Sequence, residues 1–176
     1  PLSTFTKQFV QWSVNMNDGT KFRRLVFLTL SIALAVAASG VEASASNDTG
    51  VMATVNQFID GLNKGDVKTA EAACGTQVSI IDEFPPYAWQ GANACSDWVS
   101  AYGADATKEG ITDGNVTLGA PWRVDVTGDR AYVVAPATYA YKQHGKAETE
   151  SNAVFTVALR KVTAAWRITG WTWSRH

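Results

Sequence analysis

Along the middle of the chain, apolar residues fall at Val51, Val55, Phe58, Ile59 and Leu62. Steps of four, three, one and three residues place them on one side of a helix. Asn47-Asp48-Thr49 offers N-caps ahead of it, Gly65 stops it, and Asp66 caps a second helix over Val67 to Ala73. Val78, Ile80 and Ile81 form a short β-prone run ending at Asp82-Glu83, and Pro85-Pro86 forbids a regular central strand from continuing. Beyond Gly91, the helical recurrence of Cys95, Trp98, Val99 and Tyr102 predicts a third helix.

From Ile111 the pattern changes to that of strands. Val116 to Val126 reads as one long strand kinked near Gly119-Ala120-Pro121. Gly128-Asp129 turns the chain into Arg130 to Tyr141, His144-Gly145 into Ala147 to Lys161, and a turn near Thr163 into Trp166 to Arg175. Ala153, Phe155, Val157 and Leu159 alternate with polar or smaller residues, as in a half-buried strand. Helices followed by a meander predict an α+β domain: three N-terminal helices packed on a strongly curved antiparallel sheet, closing as a cone around an apolar pocket.

The first part of the chain has a different character. Lys21, Arg23 and Arg24 precede an apolar run from Leu25 to Ala38, and Ala43-Ser44-Ala45 has the small-residue form of a signal-peptidase site. A bilayer span needs about 20 apolar residues, so this shorter run reads as a cleaved secretory signal over residues 16–45. Residues 1–15 carry no pattern of their own and read as an over-extended reading frame before Met16. The domain then covers 46–176, and the protein is expected to be exported to a periplasm or secreted, with no stable membrane anchor after cleavage.

Removing that leader alters the charge. The chain has 15 basic and 16 acidic residues, of which four and two precede Ser46, leaving 11 and 14. A mildly acidic domain lacks the basic patch that nucleic acid requires. Cys74 and Cys95 are the only cysteines, and in an exported chain an even pair reads as a disulfide, the alternative being two buried thiols. His144 and His176 stand in no metal-ligand spacing, so neither a metal nor a cofactor is expected.

Several motifs occur in a telling order. Phe58-Ile59-Asp60-Gly61-Leu62-Asn63-Lys64-Gly65-Asp66 has a helix-ending NxGD pattern, Val78-Ser79-Ile80-Ile81-Asp82 forms a first strand, and Gly91 opens the third helix. Ala165-Trp166-Arg167-Ile168 matches a closing GWRI strand with Ala in place of Gly. Together they resemble the NTF2-like superfamily, which includes SnoaL-like polyketide cyclases and ketosteroid isomerases, over roughly Asp48 to Ser174. The resemblance implies the NTF2-like cone. In the isomerase branch the proton-shuttling carboxylate lies sixteen residues after the Asp of NxGD and nine before the Gly, and both counts arrive at Asp82. The branch's oxyanion-hole Tyr corresponds to Phe58, and its protonated Asp falls approximately on Ala153, before Phe155. Neither residue can donate a hydrogen bond from its side chain.

Strand alternation places Asp82 on the face of Val78 and Ile80, inside the cone. There it acts either as a general base or structurally, capping a turn at the strand end or pairing with a cation such as Arg123. Phe58, Tyr87, Trp89, Trp122, Phe155 and Trp171 are candidates for lining a pocket, or else for packing in the core or on a dimerising sheet face. Three readings of function follow. The first is an exported pocket protein for a small apolar or aromatic molecule, with no turnover assumed. The second is an isomerase- or cyclase-like enzyme using Asp82 and a pocket Tyr, and the third is a homodimeric interaction module. Expression in a bacterial host should yield a mature product beginning near Ser46 by intact mass, and a product retaining Leu25 to Ala38 would refute the signal reading.

Overall fold

Val51, Val55, Phe58 and Ile59 are all buried, and they form the core-facing stripe of the first helix, α1 (49–63). The computed structural model of the protein describes residues 49–175. The reading-frame segment 1–15, the signal segment 16–45, the caps Asn47 and Asp48, and His176 lie outside the described residues. Gly65, at a φ of 66°, ends α1 in a left-handed turn closed by Asp66 N–H donating to the Gly61 carbonyl at 2.8 Å. Asp66 then caps α2 (Val67–Ala73), accepting from Thr69 N at 3.1 Å and from the Thr69 hydroxyl at 2.6 Å. A Cβ on Gly61 would lie 2.6 Å from the Ala70 nitrogen, so glycine lets the two helices touch.

After α2 come β1 (Cys74–Ile81), β2 (Ala88–Gly91) and α3 (Ala94–Lys108), then β3 (Ile111–Leu118), β4 (Arg123–Thr127), β5 (Arg130–Gln143), β6 (Lys146–Val162) and β7 (Ala165–Arg175). The strands form one sheet in the order β2-β1-β7-β6-β5-β3, with β4 also paired to β5. The core lies where the inner face, including Val78, Ile80, Val133, Phe155, Val157, Ile168 and Trp171, meets α1 and α3.

The sheet differs from the expected one in two ways. It is mixed rather than antiparallel throughout, because β1 runs parallel to β7. Hairpin geometry forces antiparallel pairing only between chain neighbours, and the whole meander separates these two strands. The stretch from Val116 to Val126 is two strands rather than one. β3 and β4 follow the same edge of β5, divided at Gly119 to Trp122. Pro121 on this edge and Pro136 opposite both lack an N–H, so the ladder is broken there; Gly119 N–H to Pro136 O and Trp122 N–H to Val134 O, each 2.9 Å, close the gap.

Asn63 fastens α1 to this edge. Its side chain donates to the Val116 carbonyl and accepts from the Val116 N–H, both at 2.8 Å, as a neighbouring strand would. On the opposite side Cys74 and Cys95 form a disulfide with a Cα separation of 6.7 Å, joining the start of β1, just after α2, to the first turn of α3. The bridge closes a loop of sequence separation 21. In the chain-entropy description this stabilises by about 3 kcal/mol. The double variant Cys74→Ala/Cys95→Ala should lose about that much in urea unfolding, and an unchanged midpoint would show that the bridge constrains the unfolded chain little.

Candidate functional site

A cavity of about 510 Å³ opens between α1, α3 and the inner face of the sheet. Its deep wall is aromatic. Phe58 of α1 stacks on Phe155 of β6 with centroids 6.3 Å apart and planes 2° from parallel. Trp171 of β7 packs at 5.8 Å from Phe58 and meets Trp98 of α3 edge-on at 4.8 Å. Tyr102 stacks on Trp98 one turn further along α3, at 5.5 Å. Offset and edge-to-face contacts of this kind hold the rings in fixed orientations. The indole N–H of Trp171 is buried and finds no acceptor among the described residues.

The mouth is polar. Asp82 follows β1 directly and lines the cavity, whereas Ile81 before it turns to solvent, 60% exposed. Its carboxylate accepts from the Trp98 indole N–H at 2.8 Å and from the Glu83 backbone N–H at 2.7 Å. The turn carrying it is closed by Asp82 N–H to Tyr87 O at 3.1 Å and Tyr87 N–H to Phe84 O at 2.8 Å. Phe84, swung inward by that turn, packs against Trp98 and Tyr102. Burial pushes the Asp82 carboxyl above the usual range for aspartate; its two N–H donors oppose this, and the nearby charges of Glu83 and Glu150 add to it. Arg123 instead pairs with Asp125 on the strand surface, so the structural partner expected for Asp82 is engaged elsewhere.

Across the mouth, Arg175 of β7 bridges Glu83 and Glu150, with Nη1 2.8 Å from Glu150 Oε1. Glu150 is raised above the ordinary glutamate range by burial, against the pull of Arg175. Tyr102 and Tyr139 share a short hydrogen bond between their hydroxyls. That pair is seated against Gly114, where a Cβ would come within 2.7 Å of the Tyr139 oxygen. Burial raises both phenols, so they stay protonated throughout the physiological range; one hydroxyl hydrogen lies in their mutual bond and the other is left to donate.

Of the residues singled out in the sequence, Asp82, Phe58, Phe155 and Trp171 converge on the cavity. Three others do not line it. Trp89 is buried behind Phe84, with centroids 5.1 Å apart, and is core. Tyr87 and Trp122 are 56% and 65% exposed, at a turn and at the break between β3 and β4. Tyr87 and Trp89 were candidates as aromatic residues, but the turn at Asp82 carries the chain away from the cavity. Tyr102 and Trp98 were visible only as apolar positions of a helix. Arg175 continues the alternation of Trp171 and Trp173 at the end of β7, but nothing in the spacing of Glu83 and Glu150 marks them as its partners. Among the described residues no group of three or more His, Cys, Asp or Glu side chains is placed to hold a metal ion.

Residues 51–175 match a family described as a SnoaL-like domain. A comparison with curated proteins finds no match. Among solved structures, an NTF2-like protein with a cystatin-like fold from Novosphingobium aromaticivorans is 12% identical, with a TM-score of 0.64 over 78% of this chain and 86% of that one. A second protein from that organism, provisionally assigned as an aromatic ring hydroxylase, is 11% identical with a TM-score of 0.63, over 74% and 90% of the two chains. An NTF2-like family protein from Streptomyces avermitilis, provisionally assigned as a dehydratase, is 16% identical with a TM-score of 0.62, over 76% and 98%. At such identities the likeness is one of fold.

A carboxyl whose proton affinity is higher folded than unfolded makes the folded state bind protons more tightly. Its ionisation therefore costs stability above the raised pKa, and the cost disappears as pH falls toward the unfolded value of about 3.9. Asp82→Asn removes this dependence. Relative to the parent, the variant should be most stable near neutral pH and lose that advantage on acidification, as measured by urea midpoints across the range. A difference that does not vary with pH would mean that the site does not disfavour the Asp82 charge.

Proposed function

Because the chain belongs to the SnoaL-like domain family, within the NTF2-like superfamily, we propose that it is an exported pocket protein binding a small, largely apolar or aromatic molecule in the cavity under α1 and α3. The observation that carries this reading is an aromatic-walled cavity of about 510 Å³ with a few polar groups gathered at its mouth. Ligand sites commonly occupy about 300–1,000 Å³ and have this composition. The Cys74–Cys95 bridge is compatible with the oxidising compartment that export implies.

A second reading is favoured by one further observation. Asp82, held by two N–H donors and made more basic by burial, faces the same cavity as the neutral hydroxyls of Tyr102 and Tyr139. A base and a hydrogen-bond donor facing one space can move a proton from carbon next to a carbonyl, the base taking it while the phenol supports the enolate oxygen. The tyrosine pair, with one hydroxyl hydrogen left over from its internal bond, would then supply a donor that the isomerase-like pattern lacks at Phe58.

Trp98 and Trp171 stand in the wall, so their fluorescence should respond when a panel of small aromatic and alicyclic molecules is titrated. Ala106 also lines the cavity, and Ala106→Trp, which fills it from α3, should weaken any such binding about tenfold or more. Equal affinity in this variant would place the ligand elsewhere. Bound carbonyl compounds recovered from deuterated water distinguish the two readings: no label supports binding without turnover, and label at the α-carbon that Asp82→Asn abolishes supports proton transfer.

A further inference from the structure

The charges facing the cavity are unbalanced. Asp82, Glu83, Glu150, Asp105 and Asp113 all line it, and Arg175 is the one cationic side chain among the lining residues. Asp113 is neutralised from outside by Lys142 at 2.8 Å. Arg175 is shared between Glu83 and Glu150, so one guanidinium serves two carboxylates. Asp82 has only neutral donors, the Trp98 indole and a backbone N–H, and pairs with no cation among the described residues. A carboxylate taken partly out of water without a counter-charge is costly, and a cation brought into the cavity relieves that cost. The ring that holds Asp82 belongs to a cluster with Phe84 and Tyr102, whose faces also attract positive charge.

Resting on the pocket reading above, we infer that the ligand is a cationic amphiphile: a protonated amine on an apolar or aromatic body, its ammonium group at Asp82 and Glu150 and its body against Phe58, Phe155 and Trp171. An anion of the same shape would meet three carboxylates around a single guanidinium and is excluded by repulsion. A neutral body gains the aromatic contacts but leaves Asp82 uncompensated. Cation binding also favours the ionised form of Asp82 and Glu150, so the amine should bind less tightly as acidification protonates these carboxyls.

Tryptamine, tryptophol and indoleacetate share an indole and differ chiefly in whether the side chain ends in an ammonium, a hydroxyl or a carboxylate. Titration calorimetry at low salt should find tryptamine about tenfold tighter than tryptophol, with indoleacetate weakest. Added salt should erode that order. Asp82→Asn should bring the tryptamine-to-tryptophol ratio toward unity. Should that variant not fold, Glu150→Gln should lower the ratio several-fold. Tryptophol binding as tightly as tryptamine overturns this inference and leaves the pocket reading standing. Failure of all three probes, together with a silent fluorescence panel, overturns both.

Discussion

Side chains of a strand alternate between two faces, so one extra residue exchanges the faces of everything beyond it. The cavity depends on two such insertions. In β6 the pairing with β5 slips between Ala153 and Glu150, which brings Glu150 opposite Tyr139 and onto the inner face with Ala153, Phe155 and Val157. In β7 the slip falls between Ile168 and Gly170, leaving Thr169 as the additional residue. Trp166 and Ile168 face inward before it, and Trp171 and Trp173 line the cavity after it. Under strict alternation both of these tryptophans would share the face of Arg167, and the cavity would lose much of its aromatic wall. Arg175 would leave the mouth for the same reason.

What the slips bring inward, the helices confine. Asn63 anchors the end of α1 to β3 through its paired hydrogen bonds, and the disulfide anchors the start of α3 to β1. Two of the covering elements are thus tied down at opposite edges, with Phe58 and Trp98 facing the space between them. Covering the mouth lowers the local dielectric, which strengthens every charge interaction within it. The same effect raises Asp82 and Glu150 and keeps Tyr102 and Tyr139 neutral. Base strength at Asp82 and attraction for a cation therefore share one cause, the partial burial of carboxylates that outnumber their partners.

Much of the architecture was legible in the chain. The spacing from Val51 to Leu62 described α1, the Gly65-Asp66 pair described its end and the start of α2, and the turns at Gly128-Asp129, His144-Gly145 and Thr163 divided the meander correctly. These features follow from helical and strand periods and from backbone conformations of particular residues, all settled within a few positions. The direction of β1 beside β7 was beyond that reach, because it depends on strands joined by no local turn. So was the division of β3 from β4, where Pro121 must be read together with Pro136 across the sheet.

The site divides along the same line. The family resemblance pointed to Asp82 through its spacing to Asp66 and Gly91, and its phase with Val78 and Ile80 placed it on the inner face, since a strand carries its phase along itself. Phe58, Phe155 and Trp171 were named as apolar members of regular elements, and such elements bury their apolar sides. Tyr87 and Trp89 follow a turn at which phase is lost, and only the folded chain shows Trp89 behind Phe84 and Tyr87 in solvent. Glu83, Glu150 and Arg175 come together from a loop and two strands, through slips in register that no local pattern announces. Sequence alone determined which elements form and which of their sides is apolar, because those properties repeat over a few residues. Tertiary structure decided which polar groups share the mouth, because that depends on registers between segments distant along the chain.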